Sequence, residues 1–136
     1  MSQIEATVSW WSHKDEAVQV SNVAELDHII DRVIKSECNK YPTLVEIERL
    51  GYLFTMAVGL DESFVQITPD SNLSPYLVAV ATKDRDNDGT FNFYFQGLHH
   101  TEIHRRNILP ISKARELART FLITGTIPEG IEWEEV

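Results

Sequence analysis

Between Thr43 and Gln96 the hydrophobic pattern has a period of two, and this constrains the fold more than any other feature of the chain. The runs TLVEIER, LFTMAVG, SFVQIT, YLVAVAT and TFNFYFQG are rich in β-branched and aromatic residues. Gly, Pro, Asp and Asn bound them, so they read as successive strands. The connections GLDE, PDSNLSP and KDRDNDG are too short for a crossover helix, which predicts antiparallel neighbours. In the last run Phe91, Phe93 and Phe95 share one face and Asn92, Tyr94 and Gln96 the other. A sheet covered by helices on one side predicts that division.

The flanks supply those helices. In ATVSWWSHKDEAVQV, alternation puts Val8 with Trp10 and Val18 with Val20, the pattern of a further hairpin. Ser21 or Asn22 can then cap a helix of about four turns. Its stripe is Val23, Leu26, Ile30, Val33 and Ile34, and it ends before Pro42. A second helix opens at Pro110 and Ser112, with Ala114, Leu117, Ala118, Phe121 and Leu122 along one side. Gly125 is placed to close it in the left-handed conformation. The expected architecture is α+β: one domain over residues 1–136, an antiparallel meandering sheet of about six to seven strands, and two helices packed on one face.

At 136 residues the chain is long enough for one core and too short for two comfortable domains. Twelve basic against twenty-one acidic residues give a net charge of −9. Nucleic acids and anionic membranes carry the same sign and are disfavoured as partners; a basic protein surface is favoured. Charge of this kind also simply keeps a protein soluble. Cys38 is the single cysteine, so no internal disulfide is possible and a reducing compartment is expected. No apolar run approaches the ~18 residues of a membrane span, and no secretory leader opens the chain, so a cytoplasmic location is expected.

Two strings imitate metal sites. In DRDNDGTFNFYF, Asp84, Asp86, Asp88 and Gly89 match the opening of a calcium loop, but its twelfth position is Phe95 where a bidentate glutamate belongs. Both flanks also read as strands, so the string is expected to be a polar hairpin tip whose three carboxylates suit a basic partner. In HHTEIHRR, His100 and His104 have the i, i+4 spacing of a zinc helix. Glu102 is displaced from the position a zincin requires, and the helical period is weak. Solvated loop histidines are the ordinary reading. A metal-binding module or metal-dependent enzyme using His99, His100 and His104 with the Asp84 loop is the competing one. No nucleophile motif, phosphate loop or dinucleotide fingerprint occurs, and no cofactor is called for.

The tryptophans complete the inventory. Trp10 falls on the buried side with Val8, which turns Trp11 the other way, where it would suit an interface or lie under the C-terminal tail. Trp133 is expected to fold back over the sheet or the end of the second helix, a burial of order ~3 kcal/mol.

The stretch ILPISKARELARTFLITGTIPEGIEWEEV, with Gly125, Pro128 and Trp133, resembles the C-terminal signature of the deaminase-inhibitor-like immunity protein family of bacterial polymorphic toxin systems. The similarity extends upstream through AELDHIIDRV, PTLVEI, VGLDESFVQITP, PYLVAVAT and FNFYFQG, and so covers nearly the whole chain. The segment from Leu98 to Arg106 is richer in histidine and arginine than the family pattern. The resemblance implies a non-enzymatic cytoplasmic inhibitor, a monomer forming a 1:1 complex that occludes the active-site cleft of a cognate toxin, often a nucleic-acid deaminase. On that reading the toxin's cleft is basic, and the expected contacts are Asp61, Glu62, Asp84, Asp86, Asp88 and Trp11, because turns project from a sheet.

Overall fold

A computed structural model describes residues 4–10, 17–38, 41–69, 71, 76–81, 89–95 and 99–136. The first strands are β1 (Ala6–Trp10) and β2 (Val18–Val20), followed by helix α1 (Val23–Glu37). Then come β3 (Thr43–Arg49), β4 (Tyr52–Val58), β5 (Glu62–Ser63), β6 (Val65–Pro69) and β7 (Leu77–Val80). The chain closes with β8 (Thr90–Phe95), β9 (His99–His104), a 3-10 turn (Arg105–Asn107), β10 (Leu109–Pro110), α2 (Ile111–Thr124) and β11 (Glu132–Glu135). Seven strands form one antiparallel sheet in the order β2-β1-β3-β4-β6-β7-β11. The architecture is α+β.

Period two builds the core. Val45, Ile47, Phe54, Met56, Val65 and Ile67 point to one side of the sheet. The apolar stripes of α1 and α2 close over them, and Phe54 stacks on Phe121 with ring centroids 5.4 Å apart. Asn22 caps α1: its side chain accepts from Glu25 N at 2.8 Å, while Glu25 Oε1 accepts from Ser21 Oγ at 2.6 Å and Asn22 Nδ2 at 2.9 Å. This reciprocal arrangement satisfies otherwise free donors at the helix start. Gly125, at φ 69°, ends α2, and its N–H donates to Phe121 O at 2.7 Å. A Cβ at that position would run into the guanidinium of buried Arg49 and the Leu50 side chain, so two independent constraints demand glycine.

Three expectations are corrected. The TFNFYF run does not extend the main sheet: β8 pairs with β9 as a separate hairpin. Phe93 and Phe95 are buried as expected, yet against Ala57 and Phe64 on the side away from the helices. The HHTEIH segment is therefore strand β9, not a loop. The place beside β7 belongs to β11, so the tail that carries Trp133 is an edge strand. Strand pairing decides all three, within a local hairpin for β8 and β9 and between distant segments for β11 and β7, and the hydrophobic pattern of a single run does not report it.

Candidate functional site

The sheet has a second face. Opposite the core, Ser9, Glu46, Thr55 and Gln66 lie side by side across β1, β3, β4 and β6. A second row, Thr7, Glu48, Leu53 and Thr68, lies beside it. The next positions on this face are Leu44 and Ala57, where the β8–β9 hairpin sits. The hairpin thus covers one end of the face and leaves the two polar rows beside it. Of these eight residues Thr68 alone is buried; the others are half-buried except Glu48, which is exposed. Glu46 and Glu48 make no ion pair among the described residues.

The helical side handles charge differently. Arg119 Nε meets Asp27 at 3.0 Å, and Arg115 bridges Asp31 at 2.8 Å and Asp27 at 3.4 Å. These pairs join α2 to α1. Beside them lies an open groove of about 610 Å³, lined by residues that include Asp31, Leu60, Asp61, Arg115 and Arg119. Asp61 is exposed at its rim, and its carbonyl accepts from Ile111 N at 2.8 Å. Glu62 is exposed on β5, opposite Pro110. Asp84, Asp86, Asp88 and Trp11 lie outside the described residues. The strand ends that precede the three segments, Trp10, Val58 and Val80, lie at the same end of the sheet.

The histidines are not arranged as a helix would arrange them. On β9, His100, Glu102 and His104 alternate with half-buried Thr101 and Ile103 and point outward. His100 Nε2 lies 3.1 Å from Asn92 Oδ1, and its ring stacks on Tyr94 at 4.8 Å. The His99 side chain lies outside the described residues. Among the described residues no three His, Cys, Asp or Glu side chains converge as a metal site.

Gly125, Pro128 and Trp133 form one device. Gly125 turns the chain out of α2, and buried Pro128 presents its carbonyl to Trp133 Nε1 at 2.9 Å. The indole packs against the core from β11, opposite Ala79. On the other face of β11, Glu134 accepts from Arg106 Nε at 2.9 Å and Asn107 Nδ2 at 2.9 Å. Burial pushes the Glu134 carboxyl up, but the Asn107 and Arg106 hydrogen bonds, with the charges of Arg106 and His104, outweigh it and hold the group below its ordinary value.

The family model described as Immunity protein Imm1 matches residues 14–135. The chain belongs to the Imm1 family of immunity proteins. A search of curated proteins finds no match. The Imm1 match runs from before β2 to the end of β11 and so includes both helices and the C-terminal device; the ending that carried the resemblance serves the fold, closing α2 and seating the edge strand. Membership in an immunity family implies a toxin protein as partner. No helix among the described residues is long and apolar enough to cross a membrane.

Sequence reasoning passed over the polar rows. Their signal was present in TLVEIER, where Glu46 and Glu48 alternate with Val45 and Ile47. Such alternation is also the ordinary appearance of a solvated strand face, so it marks which side is wet without marking a contact.

Proposed function

We propose that this Imm1 protein neutralises a cognate bacterial toxin by binding it one to one and covering its active-site cleft, without catalysing a reaction or using a cofactor. The toxin is a nucleic-acid deaminase-type domain, and inhibition takes place in the cytoplasm of the producing cell before the toxin is exported. The observation that carries the reading is the family match over residues 14–135. Charge supports it. A domain that grips nucleic acid presents a positive cleft, and a chain of net charge −9 can offer carboxylates where phosphates would lie. The acidic turns, Asp61 with Glu62 and Asp84, Asp86 and Asp88, together with Trp11, supply contacts and hasten encounter with the toxin.

Co-expression tests this directly. Cells making the toxin domain encoded beside this chain should survive when the chain is supplied, and the two should co-purify. Unprotected cells should accumulate transitions from unrepaired deaminated bases. Death despite ample folded immunity protein, or turnover of a substrate by the purified chain alone, would overturn the reading.

A further inference from the structure

Among the described residues, a broad surface on the sheet is left uncommitted. The two polar rows opposite the helices run unbroken across four strands, and no lysine or arginine stands among their eight positions. Everywhere on the helical side where α1 meets α2, acidic side chains are met by Arg115 or Arg119; on the rows, Glu46 and Glu48 have no such partner among the described residues. Around the half-buried Leu53, this face offers the hydroxyls of Thr7, Ser9 and Thr55, the Gln66 amide and the two carboxylates to whatever rests on it.

We propose that the toxin seats a lysine- and arginine-bearing surface on these rows, with Glu46 and Glu48 as the anchoring carboxylates and the β8–β9 hairpin as the wall beside them. The inference rests on the immunity reading and adds a sheet surface to the acidic turns named there. Charge selects the occupant: docking strips water from both glutamates, and a cationic partner is what offsets that desolvation. Size extends the surface. Four strands ~4.8 Å apart and about four residues of ~3.4 Å give the rows a footprint on the order of 250 Å². A stable complex buries about 800 Å² on each partner. The toxin therefore reaches the hairpin too, where Tyr94 is 56% exposed and stacks on His100. Tyrosine is among the residue types enriched at the energetic centres of interfaces.

The test titrates a catalytically inactivated form of the neighbouring toxin domain into the full chain, in low and in physiological salt. Glu46→Lys with Glu48→Lys should weaken binding at least a hundredfold. The isosteric pair Glu46→Gln with Glu48→Gln, which keeps volume should the reversal disturb folding, should cost tenfold or more and flatten the dependence on salt. Glu116→Lys, on the exposed side of α2, should bind as the parent does. Parent chain that binds while the folded Gln pair binds within twofold of it sinks the surface and spares the immunity reading. Parent chain that neither binds nor protects sinks both.

Discussion

The two faces of the main sheet use the same strands for opposite ends. Phe54 and Thr55 are neighbours on β4, yet Phe54 is fully buried under α2 and Thr55 stands in a polar row. On the helical side the molecule neutralises itself: Asp27 and Asp31 take Arg115 and Arg119, and Lys113 lies 3.6 Å from Glu116. On the other side Glu46 and Glu48 are left unneutralised among the described residues. Burial explains the asymmetry. Charges that flank a helix–helix seam are partly desolvated and are stable there in pairs, whereas exposed Glu48 and half-buried Glu46 keep contact with water until something docks. Stability therefore resides on the helical face and binding capacity on the open one.

The largest effect should come from crossing between those faces by a single residue. Phe54→Ala removes a ring stacked on Phe121 and leaves a cavity between sheet and helix, so unfolding free energy should fall by about 3–5 kcal/mol. Thr55→Ala, one position on, should change it by no more than ~0.5 kcal/mol. Parallel denaturant titrations of the two variants check this. Equal losses would mean that the polar rows are part of the core, and the contrast would fail.

How much of this was legible beforehand follows the range of the interactions. Both helices were readable because their signals are local: the Asn22 cap with Glu25, the stripe ending at Ile34, and Gly125 after Leu122. The strands of the central sheet were readable for the same reason. Strand β9 was not, because Ile103 is the sole large apolar residue in HHTEIH and its pairing with Phe91 decides its conformation. Nor was β11, where Trp133 stands among glutamates and is held by Ala79 and Pro128, one far upstream and one across a turn. The acidic candidate contacts fall in short runs of the sequence, Asp61 with Glu62 and Asp84, Asp86 and Asp88, and are visible before any strand is paired. The rows opposite the helices are composed of single residues from four strands and become a surface only once those strands are paired.

A middle-sized effect tests whether the family ending belongs to the folding side of the comparison. Gly125→Ala imposes φ 69° on a residue with a Cβ and presses that carbon into the Arg49 guanidinium and Leu50. A cost of about 1–3 kcal/mol is expected. Toxin affinity, measured at a temperature where the variant remains folded, should match that of the parent. A selective loss of affinity with stability intact would move the ending to the binding side.

The smallest effect concerns a carboxylate that shares the open side with Glu46 but is already committed. Glu134 points away from the helices, in register with Val78 and so with Gln66, and it is engaged by Arg106 and Asn107. Burial raises its proton affinity, but the two hydrogen bonds and the neighbouring charges overcome that, so the folded state holds its carboxyl below the unfolded value. The sign follows. A lowered folded value means that the unfolded chain binds a proton more readily, so the stabilisation is complete above the ordinary carboxylate range and disappears as pH falls through the folded value. Melting curves taken downward from neutral pH should therefore show the parent losing stability faster than Glu134→Gln, with the two converging once Glu134 is protonated. Parallel curves would mean that Glu134, like the glutamates of the polar rows, is held in reserve and not used by the fold.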